Sequence, residues 1–252
     1  MKNIFEQVDY PEHESIVNRM KEEIVDQLGS AAWESITSGI ELPKADMNSE
    51  QMSKATYNFI KRLDQIAGVK SANSVFSRVC HGLKRKDFYW ARTKFLQYND
   101  IDAFAEAVRE EQMKDLRSYL NSEKSFYGQM IDDEVYTYAD SMDHLFYGKR
   151  YGNQIKATAI PFNIRKFLDE KDPVKKRFYL CHCYFVNQSI LGNETVSKTM
   201  CYCSLGHTKI FWEAALDTEL KGDVVGSALN GDMACEFVIY LSEEIIQKYT
   251  HE

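Results

Sequence analysis

The stretch Asp223-Val224-Val225-Gly226-Ser227-Ala228-Leu229-Asn230-Gly231-Asp232-Met233-Ala234-Cys235-Glu236-Phe237-Val238-Ile239-Tyr240-Leu241 decides how this chain reads. Two apolar, β-branched runs flank Asn230-Gly231, a pair suited to the positive φ angles of a tight turn. The pattern predicts a β-hairpin, with a loop running on to Ala234 as the alternative. Upstream, residues 206–217 read as a helix through Ile210, Phe211, Ala214 and Leu216. Before that, Val135-Tyr136-Thr137-Tyr138, Ile155 to Ile160 and Phe178 to Val186 carry the β-branched and aromatic enrichment of strands.

The first half of the chain has a different period. Ile16, Met20, Ile24 and Leu28 recur at helical spacing and stop at Gly29. Ser30 to Gly39 reads as a short helix around Trp33 and Ile36. Asn48 with Gln51 has the capping-box spacing, and Met52, Ala55, Phe59, Leu63 and Ile66 form one stripe ended by Gly68. Ser74 to His81 reads as a helix closed by Gly82, and Ile101 to Leu120 as a long amphipathic one. Helices followed by strands mixed with helices predict an α+β fold. A helical N-terminal half (1–130) packs on a mainly antiparallel sheet with a C-terminal helix and β-hairpin (131–252).

At 252 residues the chain can bury a core without disulfide staples. Hydrophobic residues at 44% and charged residues at 27% argue against disorder. With 31 Lys and Arg against 38 Asp and Glu, the net charge of −7 speaks against a nucleic-acid partner. The runs Lys84-Arg85-Lys86 and Lys175-Lys176-Arg177 are short and separate, as solvated faces are. The first twenty residues lack an apolar signal-peptide core. Phe237 to Leu241 is far shorter than the ~20 residues a bilayer needs. The expectation is a soluble, cytoplasmic protein with no membrane partner, in which Asn187-Gln188-Ser189 and Asn193-Glu194-Thr195 match a glycosylation sequon by chance.

In that compartment cysteines stay reduced, so close spacing points to metal or catalysis. Five of the six cysteines fall within residues 181–235, four of them as the pairs Cys181-His182-Cys183 and Cys201-Tyr202-Cys203. On a strand, Cys181 and Cys183 would face one side. The spacing is tighter than the usual Cys-x₂₋₄-Cys of zinc sites, yet four thiolates would suit zinc first and iron second. Cys181, Cys183, Cys201 and Cys203 are the expected ligands, with Cys80, His182 and Cys235 as further candidates. Each cysteine has a plainer reading as a small apolar core residue. The dense aromatic set, Tyr147 and Tyr184 included, reads as core or as the lining of a ligand pocket.

Ser204 reads as an N-cap, which places Cys203 where the helix dipole favours a thiolate. A second expectation follows: a hydrolase with Cys203 as nucleophile and His182 or His207 as base. Alternatively, a metal-activated water would work with Glu236 or Asp232. A third is a redox-responsive interaction protein that oxidises the two pairs. No phosphate-binding Gly-rich loop, His-Glu-x-x-His or Gly-x-Ser-x-Gly motif is present, which removes the nucleotide-driven, zincin and ordinary serine-hydrolase classes.

The segments Cys181-His182-Cys183, Cys201 to Gly206 and Gly231-Asp232-Met233-Ala234-Cys235-Glu236-Phe237 together resemble a bacterial Cys-x-Cys family. More distantly they resemble the 4-vinyl reductase domain and the L-2-amino-thiazoline-4-carboxylate hydrolase-like proteins. The resemblance covers about the last 75 residues. Tyr184 stands where the bacterial family often has Pro. The resemblance implies an α+β small-molecule-binding domain with metal-holding cysteines, or a hydrolase opening a cyclic thiazoline. The leading expectation is a protein that binds a small molecule beside a cysteine-rich zinc site.

Overall fold

Residue 7, residues 12–192 and residues 196–250 are described by a computed structural model, in which α-helices fill most of the first 140 positions. These are α1 (His13–Leu28), α2 (Ser30–Thr37), α3 (Ser49–Ala67), α4 (Val69–Val79), α5 (Tyr89–Tyr98), α6 (Ile101–Arg117) and α7 (Asp133–Asp140). There follow β1 (Lys149–Tyr151), β2 (Gln154–Thr158), α8 (Ile164–Asp169), α9 (Pro173–Leu180), α10 (Tyr202–Leu216), β3 (Lys221–Gly226), β4 (Glu236–Tyr240) and α11 (Glu243–Tyr249). The sequon at Asn193, the side chain of His13, and His251 lie outside the described residues.

The expected α+β architecture is present. The sheet has order β1-β2-β4-β3 with every neighbour antiparallel. β4 is central, with Phe237 paired to Ala157 on one side and Val224 on the other. The β3–β4 connection is no two-residue turn. A 3-10 turn at Ala228–Asn230 and Gly231 at φ 104° carry the chain through a loop that runs to Cys235. Asp232 closes its base by accepting the Ser227 N–H at 2.9 Å.

Local chemistry accounts for most helix ends. The Asn48–Gln51 capping box forms with reciprocal bonds of 2.9 and 3.1 Å. The stripe after it is buried at Met52, Ala55, Phe59 and Leu63, whereas Ile66 is exposed. Two predicted strands are helices. Asp132 accepts the N–H groups of Glu134 and Val135, and acidic residues fill the first turn, so residues 133–140 form α7 despite their β-branched content. Asp172 likewise caps Val174 and Lys175, and Pro173 sits in the first turn, so α9 takes the first three residues of the predicted strand 178–186 and the rest is turn and loop.

One cluster of buried residues joins the helices (Met20, Phe59, Phe76, Phe95) to the sheet and α10 (Ile155, Phe211, Ile239). A smaller one holds Leu116, Phe126, Ile131, Val135 and Ile164, and so spans position 130. Helix α10 runs through the main core. Of its fifteen residues thirteen are buried; the exceptions are Ser204 and His207. Such a helix must be largely apolar all round, yet α10 also carries Lys209 and Glu213. These form a buried 2.7 Å ion pair, and Glu213 also accepts the Leu220 N–H at 2.9 Å. On the α4 side Gly206 lets the two helices approach until a Cβ would meet the Ser77 carbonyl oxygen at 2.4 Å.

Candidate functional site

The turn that ends α4 is the most unusual backbone near α10. Cys80 (φ 49°, ψ 42°) and His81 (φ 54°, ψ 30°) are consecutive left-handed residues with Cβ atoms. Each costs about 1–3 kcal/mol and persists only where surrounding structure holds it. Here the holding contacts come from α10. The His81 N–H donates to Cys203 Sγ at 3.2 Å, and Cys80 Sγ donates to the Ser77 carbonyl at 3.4 Å. The turn swings the His81 ring over α10, where Nε2 lies 3.3 Å from Ser204 Oγ and the ring stacks on His207 at 5.1 Å.

The stack continues inward. His207 lies 6.1 Å from Tyr147, Tyr147 lies 3.8 Å from Phe211, and Phe211 lies 5.6 Å from Phe104, all near-parallel. Phe88 meets His207 edge-on at 5.7 Å. The Trp212 indole N–H fixes the Tyr147 carbonyl at 2.7 Å. Beyond the end of α9 lies His182, whose Nε2–H donates to the Ile160 carbonyl and whose ring meets Phe162 edge-on at 5.7 Å.

Ser204, His207, His81 and Tyr147 are half-buried, as are Cys183, Cys201 and Cys235; His182 is exposed. Yet desolvation by surrounding protein is the leading influence on every titratable member of this group. It lowers His81 to about 4 and His207 to about 3, with repulsion from His182 second for His81 and repulsion from His81 second for His207. It lowers His182 and raises Tyr147. The group is thus partly open to solvent yet crowded by protein, and its imidazoles and phenol are uncharged at neutral pH.

The cysteines gather at one end of this region but do not form the expected centre. Among the described residues, no three His, Cys, Asp or Glu side chains are arranged to hold a metal ion. This overturns the zinc or iron site expected from Cys181, Cys183, Cys201 and Cys203 with Cys80, His182 and Cys235, and with it the metal-binding function. The physical reason is that the thiols face separate partners. Cys203 receives the His81 N–H, Cys201 Sγ lies 3.0 Å from Ser227 Oγ, and Cys80 is turned to Ser77. Cys181 ends α9 in extended conformation, so the first pair is not on a strand. Burial pushes the Cys80 and Cys183 thiols up to about 12 and raises those of Cys181, Cys201, Cys203 and Cys235. All six cysteines are free thiols.

The predicted catalytic residues are spread over these elements. α10 starts earlier than predicted, with Cys201 rather than Ser204 at its N-cap, and a 3-10 turn at Lys198–Cys201 runs straight into it. Cys203 is therefore the second residue of α10, buried in its first turn, and burial keeps its thiol protonated. His207 stacks with His81 and with Tyr147. Glu236 opens β4 and lies against Gly226, where its Oε2 would be 3.2 Å from an added Cβ. Sequence reasoning passed over His81, since nothing in its spacing ties it to α10. Tyr147 and Ser204 were noticed only as an aromatic and a cap.

Two surface depressions, one lined by Tyr57, Lys61, Asp64, Gln65 and Ser197 and one along α1 around Arg19 and Glu22, contain neither histidine nor cysteine. Among the described residues, no helix is long and apolar enough to cross a membrane. Comparisons with protein families, with curated proteins and with solved structures find no match to this chain.

Proposed function

We propose that His81, Ser204, His207 and Tyr147 bound a cleft, and that this chain binds there a small uncharged molecule with a flat, polar-edged ring. One observation carries the reading. In a helix otherwise sealed inside the core, the two residues that keep solvent access are Ser204 and His207, and a strained turn brings His81 onto both. Strain of that kind tends to be kept where a site needs it.

The charge state of the walls selects the ligand class. The two stacked histidines are neutral above pH ~5 and Tyr147 stays protonated, so an entering ion would lose water and find no counter-charge. A flat uncharged molecule gains ring contact with the imidazoles and hydrogen bonds at the Ser204 hydroxyl.

The test is titration of histidine-labelled protein with indole, phenol and benzamide, read at the His81 and His207 ring resonances. Benzoate and benzylamine serve as charged isosteres. The uncharged probes should move both rings and bind roughly tenfold or more tightly than the ions. Equal binding of charged and uncharged probes, or no movement of either ring, would defeat the proposal.

A further inference from the structure

The cleft contains one oxygen nucleophile with a base beside it. We infer that Ser204 accepts an acyl group from an uncharged carboxylic ester, with His81 Nε2 taking the hydroxyl proton; this rests on the reading of the cleft as a site for an uncharged ligand. Three observations support it. Ser204 Oγ is 3.3 Å from His81 Nε2, within reach for proton transfer if the remaining imidazole proton sits on Nδ1. Ser204 keeps solvent access although its neighbours Cys203 and Leu205 are buried. And the His81 backbone is clamped by its N–H bond to Cys203 Sγ, which fixes where the ring points.

The clamp gives Cys203 a positioning role in place of the nucleophilic one. Its sulfur is committed to the His81 N–H and its thiol stays protonated. The thiols of Cys183, Cys201 and Cys235 are also held protonated by burial, so the hydroxyl with a neutral imidazole at hand is the better acyl acceptor.

The step balances without any further reagent. A Ser204 Oγ lone pair forms a bond to the ester carbonyl carbon while the hydroxyl proton moves to His81 Nε2. The tetrahedral adduct collapses with cleavage of the bond from that carbon to the alkoxy oxygen. The leaving oxygen takes the proton back from His81. The products are acyl-Ser204 and a free alcohol, and His81 is neutral again. No electron transfer is involved.

The experiment treats the full chain with p-nitrophenyl acetate and follows intact mass and peptide mass, with the unreactive amide acetanilide as a probe of cleft entry. We expect one acetyl group per chain, on Ser204, with release of one nitrophenolate. Ser204→Ala should abolish it. His81→Gly suits the left-handed backbone at that position, so it should fold. It should slow acetylation by about 10²–10⁴-fold, and free imidazole filling the vacated space should restore part of the rate. Acetyl groups on cysteine or lysine instead of Ser204, or an unchanged rate in His81→Gly, would overturn the inference. If acetanilide moves the His207 resonance but the ester leaves Ser204 unmodified, the acyl step falls and the binding proposal stands. If acetanilide does not move it either, both fall.

Discussion

Replacing Gly206 by alanine tests how α10 is seated. An added Cβ would lie 2.4 Å from the Ser77 carbonyl oxygen, 2.9 Å from its carbon and 3.0 Å from Cys80 Sγ. Relaxed carbon contacts lie at about 3.5–4.0 Å, so α4 must retreat by on the order of 1 Å. Overpacking of this kind costs about 1–3 kcal/mol. Alanine returns roughly 1 kcal/mol of helix propensity. The obstacle is backbone rather than the end of a flexible side chain, so the loss sits towards the upper end and the net is about 1–2 kcal/mol. In a chain of this size that lowers the Tm by roughly 2–8 °C. Ser77 lies on the turn of α4 that leads into Cys80 and His81, so the His81–Ser204 contact should loosen as well. Urea unfolding, with the midpoint and slope fitted separately, gives the stability; the His81 ring resonance gives the displacement. A Gly206→Ala variant as stable as the parent, with an unmoved His81 ring, would refute the close-approach reasoning.

Three other outcomes follow from the same contacts. His81 and His207 titrate at about 4 and about 3 in the folded protein against 6.5 when unfolded, so the unfolded chain binds more protons between those values. Their contribution is whole above pH ~6.5 and is lost as the pH falls through that window; for His81 it amounts to about 3 kcal/mol. Urea midpoints that stay constant from pH 7 to pH 4.5 in a His81→Asn, His207→Asn background and fall in the parent would agree; equal slopes in both would not. Lys209→Met leaves Glu213 buried without its cation and should cost about 3–5 kcal/mol, while Lys209→Met with Glu213→Leu should recover much of it; equal losses in the single and double variants would contradict this. Native thiol labelling at neutral pH should leave Cys80, Cys181 and Cys203 unmodified until denaturant is added, and rapid labelling of Cys203 by peptide mass would count against its burial.

The parts of the fold legible in the sequence are those set by local chemistry. The Asn48–Gln51 box, the glycine stops at 29 and 68, and the apolar β-branched run Phe237 to Leu241 each carry their own signal. The misread segments had a signal too, at their edges. Asp132 and Asp172-Pro173 are helix starts, and capping outweighed the β-branched and aromatic content that followed. The cysteine pairs drew attention to a metal centre that does not form: Cys203 takes the His81 N–H, Cys201 lies beside Ser227, and the pair at 181–183 follows α9 rather than lying on a strand. The His81–Ser204–His207 arrangement was beyond reach, because it is made by a left-handed turn and by a helix crossing more than a hundred residues further on.

The strand order β1-β2-β4-β3 also has a consequence for biosynthesis. The central strand is the last of the four to leave the ribosome, and its two neighbours, β2 and β3, cannot pair with each other. Until residue 240 has emerged, β2 therefore offers a raw hydrogen-bonding edge to solvent or to chaperones, and non-local pairing of this kind closes slowly. Nascent chains stalled between β3 and β4 should accordingly be the ones that holdases retain.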